Sequence, residues 1–300
     1  TANKFKSALL TTLTLLVTTI ISFGAVEVAL RIKNSSMDVY DIEMWRYAKV
    51  LKRPSVNKTL GHEHVVNTSA ILQKVSIRIN EMGLRGAPVA PLSDGGRRVL
   101  ILGSSITLGW GVEEQKVFSS QLKQMFNKDG DKVEVFNGGI GNYNTERYVE
   151  LFFQKLYKLQ PTDIVVHYFI NDAEKLVAGG GNVLLRHSQL AVTIWRLVNQ
   201  YLSPGGEAAL VDHYRQVYDP ATPGFTAMQE SLKKLKEFAN KKNIRLFLVV
   251  VPDIHNLNDY KFNFIHDILQ RLAKRLGYEF VDLLPAFLNI EAKDIWAMPG

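Results

Sequence analysis

The chain has 300 residues, of which 46% are apolar and 22% charged, with a formal net charge of +7 and no cysteine. This length and composition suffice to bury a sizeable core, and the lack of cysteine excludes disulfide bonds and cysteine-rich metal sites. The positive charge is spread along the chain without the interleaved basic and aromatic residues of nucleic-acid-binding proteins, so we expect no nucleic-acid partner.

The N-terminal segment is long and apolar. Residues 8–26 carry no charge and are rich in Leu, Ile, Val and Thr. A helix of this length spans roughly 28 Å, about the thickness of the hydrocarbon core of a bilayer. We predict that residues 1–33 form a single-pass anchor, with residues 8–30 in contact with lipid. A cleaved signal peptide and the buried helix of a soluble protein are the alternatives, but the helical pattern continues through residues 27–31 without a cleavage site.

The next segment, residues 34–96, is predicted to be a juxtamembrane stalk and lead-in. Residues 34–75 are polar and mixed in character and show no strong periodicity, as in a stalk or a flap over the domain. His62-Glu63-His64 has the close spacing of metal ligands, but it lacks a third ligand. We therefore expect neither a metal nor a cofactor.

Residues 99–112 are the most informative stretch of the chain. A run of apolar β-formers ends at Gly103, and two serines, a glycine-rich turn and a helical pattern follow. A buried parallel strand that delivers a side chain to the mouth of an α/β sheet has this pattern. Ser105 is therefore a candidate nucleophile. A plain strand-to-helix turn with a serine N-cap has the same pattern.

The rest of the chain alternates between strand-like and helix-like segments. This alternation predicts a three-layer α/β/α domain over residues 97–300, with a mainly parallel, flavodoxin-like sheet of five strands. Further strands are predicted at residues 133–137, 163–169, 244–251 and 278–282, and helices at about 115–127, 145–159, 225–242 and 259–276. An insertion at residues 173–224 contains an amphipathic stretch, 184–202, for which we predict a helix packed against the core. Covering the site or docking a partner is the alternative for this helix.

Three blocks at successive strand ends together resemble the SGNH (GDSL-like) hydrolases. They are Gly103-Ser104-Ser105, the glycine-rich segment 137–145, and Ile170-Asn171-Asp172, within a resemblance that covers about residues 75–300. The resemblance implies that Ser105 is the nucleophile. It also implies that the backbone amides of Ser105 and Asn142 and the side chain of Asn171 form the oxyanion hole. Residues 77–86 resemble the lead-in of membrane-anchored members, which implies a periplasmic or other extracytoplasmic domain.

The chain also departs from the family pattern. Ser104, Asn142 and Phe169 occupy positions where the family has Asp, Gly and Gly. The family's late Asp-x-x-His block, which supplies the catalytic base, is expected beyond Gly300. His255, in Asp253-Ile254-His255, lies one strand–helix unit earlier than that block. His167 is predicted to be a core or sheet-face residue and His266 a surface residue.

Two functions follow from these observations. In the first, the protein is a membrane-anchored serine esterase, O-acyl hydrolase or acyltransferase that acts on envelope ester substrates, as the retained Ser105 and Asn171 favour. In the second, it is a catalytically silent scaffold or accessory subunit that binds other membrane protein subunits, as the departures at Ser104 and Asn142 favour. The lipid bilayer is the expected partner of residues 8–30 in both. A phosphate-binding loop at residues 138–141 is a weaker alternative because no Lys-Ser/Thr follows it.

Overall fold

In a computed structural model of the chain, residues 2–91, 96–128, 130–176, 183–202, 205–288, 290, 291 and 295 are described. The helices are, in chain order, α1 (Ala2–Lys33), α2 (Tyr40–Val50), α3 (Ser105–Leu108), α4 (Phe118–Phe126), α5 (Thr145–Gln154), α6 (Val183–His187), α7 (Gln189–Leu202), α8 (Glu207–Val217), α9 (Pro223–Lys242), α10 (Asn263–Leu276) and α11 (Leu284–Phe287). The strands are β1 (Lys52–Pro54), β2 (His62–His64), β3 (Thr68–Leu72), β4 (Val75–Ile79), β5 (Arg97–Gly103), β6 (Val133–Gly139), β7 (Asp163–Tyr168), β8 (Arg245–Val250) and β9 (Glu279–Asp282). Short 3₁₀ helices occupy Asn34–Ser36 and Leu156–Leu159.

The chain divides into two compact units. The N-terminal unit comprises Thr1–Arg46 and Gly180–Pro204, and the sheet unit comprises Tyr47–Gly179 and Gly205–Gly300. Residues 47–79, which lie in the segment predicted to be a stalk and lead-in, form strands β1–β4 within the sheet unit. The insertion at 173–224 contributes α6 and α7 to the N-terminal unit and α8 to the sheet unit.

In the N-terminal unit, α1 is long and apolar enough to cross a membrane, and its most apolar window is entirely unburied. A signal sequence has the same character, so length and composition alone do not distinguish the two. The Glu27 carboxylate caps the start of α7, where it accepts hydrogen bonds from the amides of Gln189 (3.0 Å) and Leu190 (2.9 Å) and from the Ser188 hydroxyl (2.9 Å). The prediction that this stretch packs against the core is wrong, because Trp195 on α7 is 56% exposed and its apolar neighbours are exposed as well.

The sheet unit is built on five parallel strands in the order β6-β5-β7-β8-β9, as predicted. Alternate residues of each strand point to opposite faces. On one face the strands pack against α5, α9 and α10 in a single core that includes Leu100, Leu102, Ile164, Val166, Leu246 and Leu248. On the other face, Val99 and Ile101 pack with Val165 and the apolar side chains of α4. A cavity of about 490 Å³ lies on this second face, where α4 covers part of the sheet.

The amino ends of the central strands are held together by a buried carboxylate. Asp163, at the start of β7, accepts hydrogen bonds from Arg97 Nε at 3.0 Å and from the Thr162 hydroxyl at 2.7 Å. Arg245, at the start of β8, lies 2.5 Å from the same carboxylate. These polar contacts join the amino ends of β5, β7 and β8. The candidate site residues lie at the opposite, carboxyl end of the sheet.

Candidate functional site

Ser105 is the first residue of α3 and follows β5 after one intervening residue. The turn is tight: a Cβ on Gly103 would lie 2.0 Å from Thr107 Oγ1 and 2.8 Å from the His167 carbonyl oxygen, so only glycine fits there. The Ser105 side chain is half-buried. Its hydroxyl makes no hydrogen bond with the described part of the chain. The strand therefore delivers this hydroxyl to the sheet edge without committing it to a structural contact.

The four-residue helix α3 is held from several sides. Asn137, on β6, donates a hydrogen bond to the Thr107 carbonyl oxygen at 2.7 Å. The buried guanidinium of Arg85 donates to the carbonyl oxygens of Leu108 (2.7 Å) and Gly109 (2.6 Å). The Thr107 hydroxyl lies 2.9 Å from Nδ1 of His167 on β7. Because these contacts come from three different segments, the backbone that carries Ser105 has little freedom to shift.

Asn142 and Asn171 lie on the loops that follow the two strands flanking β5. Asn142 comes after β6 and adopts a left-handed conformation with φ +63°. Asn171 comes after β7, and its Oδ1 is buried with no partner among the described residues. The loops are joined by backbone hydrogen bonds from Ile140 N to the Gly103 carbonyl oxygen (3.3 Å) and from Thr145 N to the Asp172 carbonyl oxygen (3.0 Å). The carboxyl edge of three adjacent strands thus carries all three predicted site residues.

Asp172, which follows Asn171 at this edge of the sheet, is fully buried near Ser104. Burial raises the pKa of Asp172 well above its ordinary value, while the Phe169 amide and the hydroxyls of Tyr148 and Ser104 partly offset the increase. Phe169 N lies 3.2 Å from Asp172 Oδ2. Ser104 is near enough to lower this pKa, but Asp172 Oδ1 has no hydrogen-bond partner among the described residues. A second buried carboxylate at position 104 would raise the proton affinity of Asp172 further.

Two imidazole–carboxylate pairs lie near this edge. His255 Nδ1 is 3.0 Å from Asp253 Oδ1, in the loop after β8, and its ring is largely exposed. His213 Nε2, on α8, is 3.1 Å from Glu174 Oε1, three residues after Asn171. The Asp253–His255 pair has the arrangement in which a carboxylate orients a histidine base. No described histidine forms a hydrogen bond with the Ser105 hydroxyl.

His167 and His266 are buried and have structural contacts. His167 is buried and stacked on Phe118, as predicted for a core residue, and burial lowers its pKa to about 4. The prediction that His266 lies on the surface is wrong. Its Nδ1 is 2.8 Å from Asp282 and its Nε2 is 2.7 Å from the Tyr260 hydroxyl, which also accepts a hydrogen bond from the Asp253 amide at 3.3 Å. This chain of polar contacts supports the loop that carries His255.

The pair His62 and His64 belongs to a different arrangement from the metal site that their spacing suggests. His64 bridges the Tyr47 hydroxyl (2.6 Å) and the Gly83 carbonyl oxygen (2.9 Å). His62 Nε2 lies 3.0 Å from the Gly141 carbonyl oxygen. No group of three or more potential metal ligands occurs among the described residues. The sequence did not identify Tyr47, Lys52 or His62 as neighbours of the Asn142 loop, although the alternation His62-Glu63-His64 does place both histidines on one strand face.

Neither a protein-family model nor a curated protein matches the chain. Solved structures similar to it include a gut microbial diltiazem-metabolizing enzyme, with 19% identity, a TM-score of 0.41 and coverage of 67% of this chain and 39% of that one. AlinE4, an SGNH-hydrolase family esterase, has 17% identity, a TM-score of 0.37 and coverage of 67% and 82%. The acetyl xylan esterase AlAXEase has 19% identity, a TM-score of 0.39 and coverage of 66% and 82%. Likenesses this weak do not assign the chain to a family.

Proposed function

We propose that the protein is a serine ester hydrolase or acyltransferase of the SGNH type, with Ser105 as its nucleophile. The observation that supports the proposal is the arrangement of Ser105, Asn142 and Asn171 at the carboxyl edge of the sheet. The Ser105 hydroxyl stands after the end of β5 and makes no hydrogen bond with the described residues. The loop that carries Asn142 is hydrogen-bonded to the end of β5 and to the segment that carries Asn171. Ligands of open α/β sheets bind at the carboxyl ends of the strands.

In the proposed reaction, Ser105 Oγ forms a bond to the ester carbonyl carbon and its proton passes to a base. The carbonyl oxygen becomes an oxyanion, which the amides of Ser105 and Asn142 and the Asn171 side chain stabilise by donating hydrogen bonds. The carbon–oxygen bond to the alcohol then breaks and the alcohol takes up the proton. Water or a second alcohol releases the acyl group from Ser105 by the reverse sequence of steps.

His255 is the described histidine that best suits the role of base. It lies at the carboxyl end of β8, and Asp253, whose side chain is only 9% exposed, accepts from its Nδ1. That contact orients the ring by a carboxylate, as in serine hydrolases that use a histidine base. His213, which meets the Glu174 carboxylate through Nε2 instead of Nδ1, provides a comparison.

A fluorophosphonate probe tests the proposal, because it labels only activated serines. We expect labelling of the wild-type protein that is abolished by Ser105→Ala, reduced by at least about 10²-fold by His255→Ala and little changed by His213→Ala. Labelling that persists in the Ser105 variant would place the reactive serine elsewhere. A wild-type protein that neither labels nor hydrolyses short acyl esters would favour a silent scaffold instead.

We further propose that α1 anchors the protein in a membrane, so that the sheet unit acts on ester substrates of the cell envelope. The support is a span of 33 residues, Lys4–Ser36, with a mean hydropathy of 2.0 over its most apolar window and none of that window buried. The full-length protein is then expected in the membrane fraction and in solution only with detergent. A mature chain that begins after α1 would identify that helix as a signal sequence.

A further inference from the structure

Three side chains contact the backbone of Gly141, the residue before Asn142. The Gly141 carbonyl oxygen lies 3.1 Å from Lys52 Nζ and 3.0 Å from His62 Nε2. The Gly141 amide donates to the Tyr47 hydroxyl at 3.0 Å. We call Tyr47, Lys52 and His62 the Gly141 clamp. All three come from the segment that ends α2 and forms β1 and β2, and they meet a loop some 80–95 residues further along the chain.

The clamp fixes the direction of the next amide. The carbonyl and N–H of a trans peptide point in opposite directions, and the chain has no cis peptide among its described residues. Holding the Gly141 carbonyl oxygen against Lys52 and His62 therefore directs the Asn142 N–H away from the clamp. The Asn142 carbonyl oxygen is held separately by Arg147 Nη1, at 3.1 Å. Both peptide groups that flank the Asn142 Cα are thus fixed.

The Asn142 N–H is the group that this arrangement leaves open. Asn142 is exposed, and its amide donates to no atom in the described part of the chain. By contrast, the Ile140 and Gly141 amides donate to the Gly103 carbonyl oxygen and the Tyr47 hydroxyl. A donor that is held rigid and has no partner in the protein is what an oxyanion hole requires, because its dipole needs no reorganisation when the charge develops.

Protonation states support two donors on one carbonyl. Burial, together with the nearby Lys52, lowers the pKa of His62 to about 3, so its ring is neutral at pH 7. Burial also lowers the pKa of Lys52 to about 7, and both the ammonium and the neutral amine carry N–H donors. A neutral imidazole nitrogen hydrogen-bonds a carbonyl oxygen only when it carries the proton, which assigns the proton to Nε2. Nε2 then has no lone pair for Lys52, 3.3 Å away. Lys52 and His62 therefore both donate to the Gly141 carbonyl oxygen.

We propose that Tyr47, Lys52 and His62 are positioning residues, which hold the Gly141–Asn142 peptide so that the Asn142 N–H serves as an oxyanion donor for the chemistry of Ser105. The inference rests on the proposed function. It assigns a role in the reaction to the segment before the sheet, whose residues act through Gly141. The Gly141 clamp thereby stabilises the transition state, in which charge develops on the ester oxygen.

The test removes both donors to the Gly141 carbonyl oxygen with Lys52→Met and His62→Phe, singly and together. Removing one oxyanion donor costs roughly 10²–10³-fold in kcat, which bounds the effect of the double variant. Each single variant retains one donor, so we expect a smaller loss from each and a double effect larger than the product of the two. KM should change little, because the interaction strengthens only in the transition state. His62→Gln, which keeps a donor, should recover much of the loss, and Lys58→Met provides an exposed lysine control.

Hydrogen–deuterium exchange of the full chain in detergent gives a second readout that does not need turnover. In the double variant the Gly141 carbonyl oxygen loses both of its donors. The loop should then open more often, so uptake should rise in peptides that cover residues 138–145 and stay unchanged over β7. If uptake rises in the double variant but the wild-type protein has no esterase activity, the clamp is supported and the proposed function is overturned. Unchanged uptake together with unchanged kcat in the double variant would overturn the clamp. A fall in kcat with the same fall for Lys58→Met would also overturn it.

Discussion

Gly139, the last residue of β6, gives the most direct test of how closely α3 must pack against the sheet. A Cβ at this position would lie 2.2 Å from Leu108 N, 2.6 Å from Thr107 C and 2.8 Å from Leu108 Cα. All three atoms belong to the backbone of α3, so no side-chain rotation relieves the clash. In Gly139→Ala the nearest pair would have to separate by about 1.2 Å to reach ordinary contact.

This displacement has two possible costs. If the fold resists it, overpacking of this kind costs about 1–3 kcal/mol, which lowers Tm by about 2–12 °C in a domain of this size. If α3 moves instead, a shift of about 1 Å in the group that carries the nucleophile costs on the order of 10²-fold in kcat/KM. We expect the two effects together, since Asn137 and Arg85 hold α3 from its other sides.

Thermal unfolding and the fluorophosphonate labelling rate measure the two costs separately. Gly205→Ala is the matched control, because a Cβ there meets nothing within 4 Å. We expect the control to keep the wild-type Tm and labelling rate. A Gly139→Ala protein that has both the Tm and the labelling rate of wild type would refute the close packing of α3 on β6.

Two further predictions concern single residues. The pKa of His167 is about 4 in the folded protein, against an ordinary value of 6.5, so between these pH values the unfolded chain binds a proton that the folded chain does not. The free energy of unfolding therefore decreases as the pH drops through that window, by up to about 3 kcal/mol. His167→Asn should flatten this pH dependence in urea unfolding, and equal slopes for the two proteins would contradict the prediction. Asn142 has φ +63°, so Asn142→Gly should leave kcat nearly unchanged. The branched side chain of Asn142→Val disfavours that backbone by about 1–2 kcal/mol and should lower both kcat and Tm. A valine variant equal to the glycine variant would show that the left-handed conformation is not needed.

The sheet and its edge could be predicted from the sequence because their signals are local. The apolar run 99–102 ends at a glycine that the close approach of Thr107 requires, and similar runs recur before residues 140 and 170. Helix bounds followed just as closely: the helix predicted at 225–242 is α9, Pro223–Lys242, with proline in its first turn, where its missing N–H costs nothing. The parallel pairing of the strands followed from the rule that strands alternating with helices are joined by crossovers.

The clamp could not be predicted, because its signal is not local. Lys52 and His62 lie in a polar stretch without periodicity, and both are half-buried where they meet a loop 89 and 79 residues away. His266 was misjudged for a related reason. Its position on α10 looks polar and exposed, but Asp282 and Tyr260, which come from separate segments, enclose its ring. A sequence pattern records which face a side chain takes but not which distant polar group meets it there.

The cap that Glu27 provides for α7 joins residues 161–163 positions apart, and this separation sets an order of events during synthesis. At about 5–20 residues per second, the ribosome delivers the amides of Gln189 and Leu190 roughly 8–30 s after Glu27. By then β5, β6 and β7 have been made, while β8 and β9 have not. The N-terminal unit therefore acquires α7 when, of the five-stranded sheet, only the three strands that precede Ser105, Asn142 and Asn171 exist. The two units are completed in alternation, and a ribosome that pauses between β7 and α7 would leave both unfinished.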